Sequence, residues 1–333
     1  MITKKVLPAL LMSIGLITTA QAASFYFVAH PDDIELFMAR QAWSDVKVGA
    51  KVVFIVTTAG DGGRGDGTIS TVSDARNYAS SRQTGHEAAL KYWFGLRGGS
   101  VGVTSNSNVT IGGKTLLRQA IGGFGSNVIM YNLRLADGYD NTQHTSPDCL
   151  AGAASCFYQV PASVATASNA GTLSRLRANA ATQPNIPLYT IDESNPQSYT
   201  YAQLKNVLRG IISTEQDSAD TWVNIQTFDG VYYDNDDHLA TGHSVADALT
   251  DYANSSPTKC IKTIEYIGYQ TQYFNVNYSS ADQSTHWTTW QTLNDALVSA
   301  GGPDSRAAHY QWLYRIYTST KPGGPITSYG PCN

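Results

Sequence analysis

Residues 24–33 read SFYFVAHPDD, and residues 51–57 read KVVFIVT. Each opens on a continuous apolar run rich in β-branched and aromatic residues, the pattern of a parallel strand covered on both faces. Between them lies a helical pattern over 34–48, and a longer one over 73–94 follows the second run. With further strands expected at 101–104 and 127–131, the order is β-α-β-α-β. That order indicates an α/β protein with a doubly wound, mostly parallel sheet. Farther along, helices are expected at 173–182, 201–214 and 238–253, and strands at 221–227 and 260–269. Two more helical patterns lie at 281–300 and 305–317. No repeat or linker divides the chain, so residues 23–333 read as one domain with C-terminal decoration.

Of the 333 residues, 42% are apolar and 14% charged, which excludes wholesale disorder. Acidic residues outnumber basic ones, 26 to 22, which argues against a nucleic-acid partner. Residues 1–22 carry Lys4 and Lys5, an apolar stretch and the Ala20-Gln21-Ala22 pattern. This predicts a signal peptide cleaved after Ala22 and a secreted or periplasmic chain. The apolar stretch is shorter than the ~20 residues a spanning helix needs, so no stable membrane insertion is expected. Export favours disulfides among the four cysteines, and the shortest loops pair Cys149 with Cys156 and Cys260 with Cys332.

The chemistry-bearing residues cluster at strand tips, where ligands bind in such sheets. His30 and Asp33 offer an imidazole nitrogen and a carboxylate oxygen, both zinc ligands, and Asp32 stands between them as a potential base. The competing reading is that the Asp pair caps the next helix. A second cluster, residues 232–243 (YYDNDDHLATGH), follows the strand expected at 221–227 and opens a helix. His238 would complete a three-ligand site with one open position, as in hydrolytic zinc; a solvated acidic turn is the alternative. In the glycine-rich loop at 60–67, Asp61 and Arg64 read equally as a substrate rim or as part of a flexible turn. The loop lacks the Gly-Lys-Ser/Thr ending of a phosphate loop. His243 lies five residues past His238 and points elsewhere. His144 belongs to a loop excursion. His86, His286 and His309 read as structural or surface residues. Trp287, Trp290 and Trp312 read as stacking platforms or as helix packing.

Together these segments resemble the PIG-L/LmbE-like family of zinc-dependent de-N-acetylases. The resemblance rests on AHPDD at 29–33, TTAGDGGRGDG at 57–67, RQTG at 82–85, LRLADG at 133–138 and DHLATG at 237–242, and it spans about 24–253. It implies a Rossmann-like fold and one Zn2+ held by His30, Asp33 and His238. It assigns Asp32 as general base, and Arg82 and Asp137 as contacts to the sugar. Two positions depart from the family pattern. Asn235 stands where a histidine usually polarises the amide oxygen, and Gln83 where a glutamate is usual. The extension, 254–333, lies outside the resemblance.

The function expected on this basis is removal of an N-acetyl group from an amino sugar or glycan. Zinc activates water, Asp32 takes its proton, and Asn235 assists the oxyanion. The alternatives are an amidase acting on a non-sugar secondary metabolite, and a weakly active carbohydrate-binding protein that keeps the zinc site.

Overall fold

Strands β1 (Ala23–Val28) and β2 (Val52–Thr58) are buried at every position. The pleat sends alternate residues to opposite layers. Phe25, Phe27, Val53 and Ile55 pack into one core, with residues of the helices at 201–215 and 236–254. Tyr26, Val28, Phe54 and Val56 pack into the other, with the helices at 39–47, 72–96 and 280–299. Apolar side chains on both faces are what make these two runs continuous rather than alternating. The computed structural model describes residues 22–61, 72–101, 104–123, 125–137, 170–191, 196–216, 220–228, 230–232, 234–255, 257–320 and 326–332. The expected signal peptide, the Cys149–Cys156 pair, His144, Arg64 and most of the glycine-rich loop lie outside these residues.

The chain continues through a π-helical turn (Ile34–Met38), α1 (Ala39–Lys47), α2 (Val72–Leu96), and strands β3 (Thr104–Ile111), β4 (Lys114–Ile121) and β5 (Val128–Leu135). Then come α3 (Leu173–Ala178), the short strands β6 (Leu188–Tyr189) and β7 (Ser198–Tyr199), α4 (Tyr201–Glu215), β8 (Thr221–Gln226) and α5 (Asp236–Asn254). Last are β9 (Ile261–Tyr266), α6 (Ser280–Ser299), the single turn α7 (Arg306–His309) and β10 (Ile326–Tyr329). The main sheet runs β10-β9-β8-β1-β2-β5-β4-β3. β9, β8, β1, β2 and β5 are mutually parallel, while β10 pairs antiparallel with β9, β4 with β5, and β3 with β4. This is the doubly wound α/β architecture expected. β1 pairs with β2 on one side and with β8 on the other, so the strand order reverses at β1/β8, where such sheets open a crevice.

Four expectations need correction. The strand expected at 101–104 is a hairpin over 104–121, turned by Gly112 and Gly113 at φ of +60° and +78°. Two consecutive left-handed residues make the tight turn that fits hairpin twist, and glycine adopts them without strain. The helix expected over 34–48 begins instead with the π-helical turn. The one expected over 173–182 ends at Ala178. The helix expected over 305–317 is only α7 followed by a 3-10 turn, Tyr310–Trp312. Tyr314, at φ +65°, cannot continue a right-handed helix. The Cys260–Cys332 disulfide is present and closes the C-terminal segment beside the β9/β10 pair.

Candidate metal centre and catalytic site

Polar side chains near the ends of the central strands stitch the crevice walls together. Gln226 of β8 accepts a hydrogen bond from the Ala29 backbone N–H at 3.1 Å, and Thr57 meets Thr241 of α5 at 2.7 Å. Helix α5 lies so close to β8 that a Cβ at Gly242 would sit 2.3 Å from the Gln226 carbonyl oxygen. These contacts hold the turn after β1 against the start of α5.

There His30, Asp33 and His238 converge, all buried, with one donor atom from each within 4.8 Å of the others. His30 Nδ1 is 3.2 Å from His238 Nε2 and 3.4 Å from Asp33 Oδ2, and His238 Nε2 is 3.2 Å from Asp33 Oδ1. Ligand atoms about 2.0–2.1 Å from a tetrahedral zinc stand about 3.3–3.4 Å apart. The nitrogen–nitrogen separation and the His238 Nε2–Asp33 Oδ1 separation are each close to such an edge, while the distance from His30 is to the other carboxylate oxygen. Asp33 does not cap the following helix. Its Oδ2 turns back to accept the His30 N–H at 2.7 Å, and its buried Oδ1 accepts no hydrogen bond among the described residues. Two imidazole nitrogens and a carboxylate, all buried and drawn together, make a His₂Asp donor set that fits a zinc-like divalent ion.

Both imidazoles are held from behind. Asp234, four residues before His238, receives the His238 Nδ1 proton at 2.6 Å, so Nε2 faces the cluster. Asp137 Oδ2 is 3.5 Å from His30 Nε2. Carboxylates behind ligating histidines fix the ring and raise its basicity. Burial alone would lower the His30 pKa; Asp33 and Asp137 outweigh it and push it up to about 9. His238 is likewise lowered by burial but carried to about 10 by Asp234 and Asp33. Burial favours the neutral form of Asp33, yet His238 and His30 hold its carboxyl well below the usual range.

A second trio, His30, Asp137 and Asp237, shares the His30 ring. Its two carboxyl groups share a hydrogen bond, and burial with Asp137 nearby raises the Asp237 pKa well above normal. A retained proton thus relieves the charge in this cluster. Asp61 belongs to the same wall: its Oδ1 accepts the Asp137 N–H at 3.0 Å, and burial with the Asp137 charge raises its pKa.

Asp32 lies beside the ligand cluster, 4% exposed. Arg82 of α2 bonds Asp32 Oδ1 through one amino group and the Gly60 carbonyl through the other, at 2.7 Å. Gly60 sits at φ +62°, and a Cβ there would strike the guanidinium at 2.4 Å, so only glycine permits this approach. Burial would raise the Asp32 pKa; Arg82, then the charge of His309, outweigh it and keep the carboxylate ionised. Asn235 N-caps α5, its Oδ1 accepting the Asp237 N–H at 2.7 Å. Gln83 meets Arg134. His243 packs on Phe228 at 4.6 Å between ring centres. His86 and His286 are buried against Glu35 of the π-helical turn: His86 Nδ1 meets its carboxylate, and His286 Nε2 its carbonyl oxygen. Trp290 is fully buried, while Trp287 and Trp312 are partly buried against the core.

Three residues near the site were not singled out for it from sequence. Asp234 was detectable from its i−4 spacing to His238, which places a carboxylate next to a helical histidine. Tyr269, just past β9, lies with its ring 4.8 Å from that of His238, and the strand-tip rule could have found it. His309 had no local signal.

No family model matches the chain, and no curated protein matches it. Among solved structures, it is similar to the N,N′-diacetylchitobiose deacetylase of Pyrococcus horikoshii in complex with an inhibitor. The TM-score is 0.43 and the identity 13%, over 88% of this chain and 76% of that one. It is also similar to the 4-carboxy-2-hydroxymuconate hydratase of Pseudomonas putida KT2440, with TM-score 0.39 and 9% identity, over 94% and 98% of the two chains. Those two proteins perform different reactions, so what this chain does has to be argued from its own site. Among the described residues, no helix is long and apolar enough to cross a membrane.

Proposed function

We propose that this chain is an exported, zinc-dependent hydrolase that removes an N-acetyl group from an amino sugar or glycan. The observation that carries the reading is the buried convergence of His30, Asp33 and His238, with the Arg82-held Asp32 beside them. Bound by those three side chains, zinc would supply Lewis-acid activation of water and of the amide carbonyl.

The protein's own groups do the rest. Arg82 engages Asp32 Oδ1, leaving Oδ2 to accept the proton that water gives up as it attacks. The electrostatic hold of Arg82 keeps that carboxylate ready over the neutral pH range. Asp137 and Asp234 keep the ligating rings in register. In the family the chain resembles, Arg82 and Asp137 face the sugar; here both also brace the site, Arg82 the base and Asp137 a ligand. The Cys260–Cys332 disulfide accords with export.

The test combines metal analysis with acetate release from a panel of N-acetylated sugars and non-sugar amides. We expect close to one zinc per chain, and release from sugars above all. Asp32→Asn should retain the metal and lose about 10²–10⁴-fold in rate. Full activity in that variant would remove Asp32 as the base. Faster release from non-sugar amides would instead favour a metabolite amidase.

A further inference from the structure

A histidine that ligates a metal must present the right nitrogen, and its ring must lie at the right tilt. Hydrogen bonds from behind settle the first, and packing against the ring settles the second. In His238 the first is settled by Asp234, which accepts the Nδ1 hydrogen at 2.6 Å. One hydrogen bond at the ring edge leaves the tilt of the plane open, so contacts to the ring itself must fix it.

Two aromatic side chains from different elements make those contacts. Tyr269 opens the 3-10 turn (Tyr269–Tyr273) that follows β9, and its ring lies 4.8 Å from that of His238 at an interplanar angle of 45°. Phe37, in the π-helical turn that follows Asp33, makes an edge contact with the same imidazole at 5.7 Å and 69°. The two aromatic rings also touch each other, 5.6 Å apart at 74°, so the three close a triangle. Phe37 and His238 are fully buried, in surroundings packed too closely for either ring to turn away freely.

The backbone at Tyr269 serves the same contact. Its N–H donates to Asp234 Oδ1 at 3.4 Å, the oxygen that also accepts the His238 hydrogen. Gly268 before it has no room for a side chain, since a Cβ would come 2.2 Å from Asp234 Oδ2. Thr271 closes the turn through its Oγ1, which donates to the Gly268 carbonyl at 2.8 Å. The Tyr269 carbonyl accepts the Trp312 indole N–H at 2.8 Å, and the two rings lie 4.8 Å apart. Tyr269 therefore reaches both members of the Asp234–His238 pair, the carboxylate through its backbone and the imidazole through its ring.

We propose that Tyr269 is a positioning residue for the metal centre: its ring, braced by Phe37, holds the His238 imidazole at the tilt that turns Nε2 toward His30 and Asp33. The assignment rests on the metal-centre reading above. The aromatic ring carries this role, and the phenolic hydroxyl does not. The residue belongs to the segment outside the family resemblance, so that segment takes part in shaping the ligand cluster.

The test compares Tyr269→Leu, which removes the ring, with Tyr269→Phe, which keeps it, in the full chain. Chelator competition gives the zinc affinity, and the visible absorption of the cobalt(II)-loaded protein reports the ligand geometry. Circular dichroism of the metal-free chains establishes that each variant is folded. We expect Tyr269→Leu to lose about 10–100-fold in zinc affinity and to shift the cobalt bands. Tyr269→Phe should match wild type in both. Wild-type affinity with an unchanged cobalt spectrum in Tyr269→Leu would overturn the proposal. So would an equal loss in Tyr269→Phe, which would put the effect in the hydroxyl. If Tyr269→Leu does not fold, Phe37→Leu takes its place: weaker zinc and shifted bands support the clamp, and an unchanged site overturns it. The underlying reading has its own test in His238→Ala. Zinc bound there as tightly as in wild type would remove His238 from the ligand set and take this proposal with it.

Discussion

The two inner ring nitrogens, His30 Nδ1 and His238 Nε2, face each other at 3.2 Å. Only one hydrogen fits in that gap. His238 already directs an Nδ1 hydrogen to Asp234, and the two rings titrate upward, to about 9 and about 10. The 3.2 Å gap admits one proton between the inner nitrogens of the metal-free protein, and the surrounding carboxylates, which raise the pKa of both rings, favour its retention across the neutral range. A cation must displace that proton. Binding should release about one proton per ion between pH 7 and 8.5, and affinity should rise about tenfold per pH unit, or about 1.4 kcal/mol. The rise should flatten once the pH is high enough to remove the inner proton from the metal-free protein. Two ordinary imidazoles, near pKa 6.5, would release almost nothing at pH 8. Cadmium is the suitable probe, since it does not ionise water in this range. Calorimetric titrations in buffers of different ionisation enthalpy give the proton count, and chelator competition gives the affinity. Zero release at pH 8, or release near two protons, would refute the shared-proton arrangement and with it the geometry of the ligand pair.

Other perturbations read other parts of the structure. Asp234→Asn should cost about 10–100-fold in zinc affinity, measured by chelator competition, because the ring behind Nε2 loses its carboxylate. Gly268→Ala should weaken zinc binding by the same route, since its Cβ would come 2.2 Å from Asp234 Oδ2 and push that carboxylate aside. Arg82→Ala removes the principal charge that lowers the Asp32 pKa, so the acidic limb of the kcat/KM profile should move to higher pH. Replacing Cys260 and Cys332 with serine opens a loop with a sequence separation of 72, worth about 4 kcal/mol by chain entropy, and urea denaturation should report a loss of that order.

The sequence was most informative where one local cause dictates the residues. Burial on both faces writes β1 and β2 as uninterrupted apolar runs, and the chemistry after β1 is contiguous, so the fold class and two of the three candidate ligands were readable within ten residues. His238 was readable because its strand tip carries the same kind of signal. The β3–β4 hairpin was missed because TSNSNVTI is largely polar and half-exposed, and its decisive cue was the Gly112-Gly113 turn rather than any apolar run. The expected helix at 305–317 had a periodic pattern for another reason. His309, Trp312 and Tyr314 are spaced by contacts with Trp290, Tyr269 and His286, which are tertiary and override local propensity.

Those contacts also change what the C-terminal segment is for. If it merely decorated a finished sheet, its buried residues would pack against the sheet edge. Instead, α6 runs along α2, the helix that carries Arg82, and Trp290 and Leu293 are buried in the same core as Phe54 and Phe37. Its aromatic residues continue from Tyr269 past Trp312 to His309, away from the ligand cluster. The disulfide and the β9–β10 pairing close the two ends of this segment onto each other. The ligand cluster is therefore flanked by the tips of the doubly wound sheet on one side and by Tyr269 of the extension on another. On the proposed reading, substitutions in this flank away from Gly268 and Tyr269, at Trp312 for example, should change the preference among amide substrates more than the metal affinity, which an activity panel beside chelator competition would show.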